Sequence, residues 1–160
     1  NVNSCKFLLQ MFSIKIDNDI HKGIDLISID FLIPHEEVLL DKKEILKNNL
    51  KYKDQSVIIS SIIVCHESFV IIDGHHRYTA LKELGVKKIP VTLINYFNKD
   101  IRTTDNNSIL KEDLIRNAKK NKLYSPKSTK HSVFCNENKL WSPITLLSTL
   151  FELRINSINN

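Results

Sequence analysis

Residues Ile71-Ile72-Asp73-Gly74-His75-His76-Arg77-Tyr78-Thr79-Ala80-Leu81 decide the fold. Phe69 to Ile72 reads as a strand, Tyr78 to Leu84 has helical composition, and Gly85 stands where a helix C′ residue belongs. A strand that ends in Asp-Gly and opens straight into a helix aims unpaired backbone N–H groups beyond the strand end. The helix dipole favours an anion there. Gly74 lets that anion approach the backbone closely, and His75, His76 and Arg77 add side-chain donors, the arginine as a fork for phosphate oxygens. Asp73 is then an acid among cationic groups, suited to positioning a metal ion or to orienting a histidine. A tight turn with an N-cap aspartate and surface histidines is the plainer alternative, and five such residues in this context argue against it.

Working outward, Val57 to Val64 is an apolar, β-branched run that reads as a strand, joined to the next by the turn Cys65-His66-Glu67-Ser68. Ile24 to Ile29 reads as an earlier strand and Ile89 to Ile94 as a later one. Pro34 forces Ile33 out of the helical region, so His35-Glu36 sits on a turn. Asp41-Lys42-Lys43-Glu44 has capping-box spacing and predicts a helix to about Leu50. Lys99 to Asn107 is polar and predicted to be a loop; Leu110, Leu114 and Ala118 mark a helix ending near Asn121. Tyr124 to His131 is a second polar loop, and Ser142-Pro143 predicts the start of a last helix. Strands alternating with helices give one α/β (α+β) domain with a small mixed sheet and flanking helices. Its expected limits are an N-terminal extension over 1–23, partly flexible, the domain over 24–155, and a frayed tail over 156–160. Met11 is a candidate start, so the first ten residues are not expected to carry structure.

The 160 residues carry a net charge of +5, which favours anionic partners: nucleic acid or nucleotide phosphates. Lys42-Lys43 and Lys119-Lys120 read as solvated helix faces. Three scattered cysteines, Cys5, Cys65 and Cys135, form no CxxC pair; neither a disulfide framework nor a structural zinc site is expected, and a cytoplasmic setting fits. The longest apolar run, Val57 to Cys65, is too short to span a bilayer, and no signal peptide or membrane partner is expected.

The Ile71–Leu81 stretch resembles the signature of the ParB/sulfiredoxin superfamily, in its free serine kinase branch. Sulfiredoxins carry a catalytic cysteine where this chain has His75, and chromosome-partition ParB proteins typically read Gly-Glu-Arg-Arg at the turn; neither pattern is present. Pro34-His35-Glu36, Asn95-Tyr96-Phe97 and Tyr124-Ser125-Pro126-Lys127-Ser128-Thr129-Lys130-His131 are similar to segments of the kinase branch in the same order. The resemblance implies a nucleotide-dependent phosphorylation of free L-serine to O-phospho-L-serine, a step of amino-acid biosynthesis, with ATP or ADP as donor and Mg²⁺ as cofactor. It implies Glu36 as catalytic base with Asp73 beside it, and Gly74, His75, His76 and Arg77 on the nucleotide phosphates. Substrate contacts then fall to Lys127, Ser128, Thr129, Lys130 and His131, with His35 either a direct contact or a hydrogen-bonding turn residue. Lys130 stands where the family loop usually has arginine, which loses a bidentate grip on a carboxylate. The tryptophan expected near the substrate is missing after Phe97; Trp141 is the single tryptophan.

Other readings compete. His35, His75, His76 and His131 have the ligand types of a zinc site, yet adjacent histidines at a strand-to-helix turn point different ways, and no resident metal is assigned to them. A ParB-like nucleotide- or DNA-binding regulatory module is the alternative function. It needs neither a base nor a carboxylate-binding loop, and no nucleic-acid-reading helix is recognisable. His21 and His66 read as ordinary surface residues.

Overall fold

The computed structural model describes residues 5–10, 14–51 and 56–154. Its centre is a four-stranded mixed sheet built from β2 (His21–Ser28), β6 (Lys88–Ile94), β4 (Ile62–Cys65) and β5 (Ile71–Asp73), in that spatial order. β4 runs parallel to β6, while the β2–β6 and β4–β5 pairs are antiparallel. The two helices α1 (Leu40–Lys51) and α2 (His75–Glu83) pack together on one face, where Ile62 and Val64 meet Leu50, Tyr78 and Leu81. The other face buries Ile63 and Cys65 against Tyr96, α3 (Lys111–Lys119) and Ile144. Cover on both faces explains why β4 is apolar at every position rather than at alternate ones.

Val57 to Val64 proves to be two strands, not one. β3 (Ser56–Ser60) belongs to a separate antiparallel sheet, and the chain steps into β4 at Ser61. The step is possible because Ser61 finds other partners: its N–H donates to Thr149 O at 2.8 Å, and its hydroxyl lies 2.7 Å from Thr92 Oγ1 and accepts from Thr149 N–H. All three residues are fully buried, so the pair of serines in the apolar run marks a joint between sheets, with its polar groups satisfied.

The helix expected from Ser142 is absent. β9 (Leu140–Pro143) passes through a 3₁₀ turn at Ile144–Leu147 into β10 (Thr149–Arg154). β10 lies between β1 (Cys5–Gln10) and β3, hydrogen-bonded on both sides, and this tertiary pairing overrides the leucine-rich local preference for helix. Thr149, Phe151 and Leu153 face inward at the strand period of two. The stretch expected to lack structure at the chain start thus supplies β1. A third sheet joins β7 (Ile101–Arg102), β8 (Ser132–Cys135) and β9, none of them read as strands in the sequence. The 99–107 loop holds β7 and a tight turn in which the Thr103 hydroxyl donates to Ile109 O at 2.6 Å.

The other expectations differ only at element ends: β2 begins three residues before Ile24, and α3 spans Lys111–Lys119. Gly85, at φ 83°, ends α2 in the left-handed conformation, with Val86 N–H donating to Leu81 O. The predicted tail over 156–160 lies outside the described residues. Among those residues no helix is long and apolar enough to cross a membrane.

Candidate active site

β5 delivers Asp73 to the end of the central sheet, and Gly74 turns the chain into α2 at φ 106° and ψ 25°, a conformation that L side chains rarely adopt. No side chain caps the helix, so the first N–H groups of α2 stay available at the strand end. A Cβ at position 74 would lie 2.9 Å from Arg77 Nη2 and 3.3 Å from Ile62 Cγ1. Gly74→Ala is therefore expected to lower stability by about 1–3 kcal/mol, read from the urea midpoint. An unchanged midpoint would show that the turn tolerates a side chain.

The two histidines after the turn splay apart. His75 turns inward and is buried; its Nε2 accepts the His35 backbone N–H at 3.1 Å, and the two rings meet edge-on at 4.4 Å. His76 turns toward α1, where its Nε2 accepts Leu39 N–H at 3.0 Å. Both rings therefore spend a nitrogen on positioning backbone. Arg77 folds back beneath the turn: Nη2 donates to Ser61 O at 3.2 Å and lies 3.8 Å from Asp73 Oδ2. Burial pushes the guanidinium pKa down and Asp73 draws it back up.

The Pro34-His35-Glu36 turn is fixed from both sides. Ile33 N–H donates to Phe69 O and Ile71 N–H to Ile33 O; on the far side Tyr124 N–H donates to His35 O and Glu37 N–H to Tyr124 O. This stitching brings the second polar loop, 91 residues away in sequence at Lys127, onto Glu36. Lys127 N–H donates to Glu36 Oε1, and the Thr129 hydroxyl donates to Oε2 at 2.7 Å. The Glu36 side chain is only 12% exposed. Burial raises its pKa, hydrogen bonds from Thr129, Lys127 and Ser128 pull it back, and the Asp73 charge adds to the rise.

His35 is fully buried beneath Glu36. Its Nδ1 donates to Ile71 O at 2.5 Å, which leaves Nε2 facing Thr129 Oγ1 at 3.2 Å and Glu36 Oε2 at 3.6 Å. Burial lowers its pKa to about 4, so the ring is neutral near pH 7. His131 is buried as well, its Nε2 2.9 Å from the Tyr96 hydroxyl. Burial first, then the charges around them, hold His75 and His131 well below the ordinary histidine range.

Asp73, Gly74, Glu36, Lys127, Thr129 and His131 meet around one cleft of about 330 Å³. His75, His76, Arg77 and Lys130 also reach its wall, and Pro143 to Thr145 close one side. Ser128 does not: its hydroxyl donates to Ser125 O at 2.7 Å within its own turn. Lys130 Nζ pairs loosely with Asp105 at 3.5 Å on the surface. His35, Glu36 and His75 hold ligand atoms within 4.8 Å of one another, a different set from the four histidines considered above. His75 Nε2 already accepts an N–H, and His35 Nδ1 already donates to a carbonyl. Asp73, 35% exposed and facing the cleft, offers the hard oxygen ligand that a magnesium ion prefers.

Residues outside the predicted site also contribute. Buried Tyr96 holds His131, and Lys111 donates to Asn98 O at 2.7 Å beside the Tyr96 ring, its pKa lowered by burial to about 8. No feature of the sequence marked Lys111, which lies on the first turn of α3 and reads as a surface lysine. Trp141 stacks under Arg102 at 3.6 Å on the third sheet.

No protein-family model matches the chain. An ATP-dependent L-serine kinase of Staphylothermus marinus is 37% identical over 81 residues, covering 48% of this chain and 31% of that protein. A ParB-like protein of Sulfolobus acidocaldarius is 38% identical over 82 residues, covering 51% and 40%. The chain thus matches well under half of the length of these curated relatives. A free serine kinase variant solved in complex with AMP superposes with a TM-score of 0.60, over 86% of this chain and 98% of the other, at 15% identity. The chain thus shares sequence over about half its length with proteins named as an L-serine kinase and as ParB-like, and shares its fold over most of its length with a free serine kinase.

Proposed function

We propose that this chain transfers a phosphoryl group from a nucleotide, ATP or ADP, to the hydroxyl of free L-serine. The observation that carries the reading is the placing of Glu36. A largely buried carboxylate with a raised pKa is aligned by Thr129 and Lys127, and it shares a cleft with the uncapped start of α2. Phosphoryl transfer asks a protein for alignment and charge neutralisation rather than covalent chemistry. The α2 N–H groups and Gly74 receive the nucleotide phosphates, with His76 at the cleft wall. Arg77 contributes from below by holding Asp73 and the turn. Asp73 would hold Mg²⁺, which when bound neutralises phosphate charge. Glu36 accepts the serine hydroxyl proton as that oxygen attacks, and Thr129 keeps its carboxylate aimed. Neutral His35 lies beneath this pair without adding a charge that would lower the basicity of Glu36. Lys127, Lys130 and His131 line the part of the cleft left for the amino acid.

The relatives named as ATP-dependent L-serine kinases, and the free serine kinase fold, support the same reading. Phosphorus NMR of the purified protein with magnesium and L-serine, ATP and ADP tried separately, tests it. A serine-dependent phosphomonoester signal is expected. Nucleotide binding without such a signal from either donor would favour a ParB-like regulatory module.

A further inference from the structure

His131 lines the cleft, and its ring is held from behind by Tyr96, two residues past the end of β6. Tyr96 is fully buried in the core with Ile63, Cys65 and Leu114. Its hydroxyl has a single hydrogen-bond partner among the described residues, His131 Nε2 at 2.9 Å. Main-chain hydrogen bonds set both residues in place: Asn95 N–H donates to Ile20 O, Lys130 N–H to Thr103 O and Ile144 N–H to His131 O.

The direction of the Tyr96–His131 hydrogen bond decides what the ring shows the cleft. Burial raises the Tyr96 pKa far above the ordinary tyrosine range, so the phenol keeps its proton. That proton needs an acceptor, because a buried donor left unsatisfied is costly. Nε2 is the acceptor within reach, so the Tyr96 O–H donates and Nε2 supplies its lone pair. A cation stands nearby as well: Lys111 Nζ, tied to Asn98 O at 2.7 Å, lies 5.6 Å from the centre of the Tyr96 ring. Burial first, then the neighbouring His35 and Lys111, disfavour a second proton on His131. A neutral imidazole whose Nε2 accepts carries its hydrogen on Nδ1. Nδ1 has no hydrogen-bond partner among the described residues, yet it is not sealed. Arg77 Nε is the single buried, unpartnered side-chain nitrogen or oxygen among them. The Nδ1–H group is thus open, and the cleft is the space that His131 lines.

We propose that Tyr96 is a positioning residue that locks His131 as its Nδ1–H tautomer, so that the ring offers the cleft a hydrogen-bond donor for the carboxylate of the amino acid; the choice of ligand rests on the phosphoryl-transfer reading above. Carboxylate oxygens are acceptors, and the other tautomer would meet them with a bare nitrogen. A ring that turns its N–H to the cleft has no lone pair there for the serine hydroxyl proton. The work of the base then falls to Glu36 alone.

Nitrogen NMR of the imidazole rings in the full chain, with no substrate present, tests the lock. His131 is expected to show a protonated Nδ1 and a bare Nε2. Tyr96→Phe removes the donor while keeping the ring, and should leave the proton shared between the two nitrogens. Tyr78→Phe, which removes a buried hydroxyl that touches Lys82 instead, is the control and should leave the His131 signals in place. A protonated Nε2 in the unmodified chain, or unchanged His131 signals in Tyr96→Phe, overturns the lock. The spectrum of the unmodified chain decides even where Tyr96→Phe does not fold. In the serine assay Tyr96→Phe is expected to raise KM for L-serine by about tenfold, as loss of an aligned hydrogen bond to a charged group implies, with the nucleotide KM unchanged. An unchanged serine KM, or a rise confined to the nucleotide, would overturn the carboxylate assignment. Absence of phosphoserine would remove the serine reading and the carboxylate with it, while the nitrogen spectrum still decides the lock.

Discussion

Glu36→Gln is expected to lower serine-dependent turnover by about 10²–10⁴-fold, the range for loss of a general base, while nucleotide affinity stays unchanged. The amide keeps the size of the carboxylate: its oxygen can still accept from Lys127 N–H, and its NH2 can donate to a reversed Thr129 hydroxyl. The loop over residues 124–131 therefore keeps its anchor, and the α2 start, more than one side chain away, keeps its geometry. What is lost is a group able to take a proton. Stability gives a second readout. Burial raises the folded-state pKa of Glu36 above its unfolded value, so its contribution is favourable at low pH and is lost as pH rises. At neutral pH the charge is a burden, and the neutral amide should leave the melting temperature equal or higher. Turnover rates from phosphorus NMR and a thermal melt check both halves. Turnover equal to that of the unmodified chain would remove Glu36 from the mechanism.

The second large effect is acid lability. His35, His75 and His131 are buried, all with pKa values depressed by that burial. The unfolded chain takes up protons on these rings as pH falls through about 6.5, whereas the folded chain does not. Their contribution is therefore fully present above pH 6.5 and is lost progressively as pH falls toward the folded values. For His35 alone, a shift from 6.5 to about 4 corresponds to roughly 3 kcal/mol across that window. His75 and His131 act in the same direction. Urea midpoints measured from pH 7.5 to 4.5 should fall steeply below pH 6.5. The imidazole signals of the three rings should stay those of neutral histidine down to the unfolding point. A flat midpoint between pH 7 and 5, or rings that titrate normally in the folded protein, would contradict the buried cluster. The same cluster links stability to the site, because His35 lies directly beneath Glu36 and Thr129, and His75 holds the His35 backbone.

The central strand–turn–helix was legible in the sequence because every local signal agreed there. β-Branched residues led into Asp-Gly, a helical composition followed, and Gly85 closed the helix. The turn at Pro34 was readable for a similar reason, since proline dictates local backbone whatever surrounds it; the choice of Glu36 as base rested on the resemblance of Pro34-His35-Glu36 to the kinase branch. The outer sheets were not legible. β10 is a strand because β1 and β3 flank it, and its pairing partners lie ninety residues or more away, beyond the reach of local preference. Ser60-Ser61 looked like an interruption in one strand, and only burial against Thr92 and Thr149 makes it a joint between two sheets.

At the site, residue types were evident in sequence but their duties were not. Adjacent His75 and His76 looked like equal phosphate donors; the fold turns one into a buried support for His35 and the other toward α1. Arg77 is an obvious phosphate fork until the close approach of Gly74 places its guanidinium beneath the turn. The sequence by itself determined which backbone turns form and which chemical groups they carry, because those depend on neighbouring residues. Tertiary structure alone decided which group faces which, because burial and charge act between residues that the chain keeps far apart.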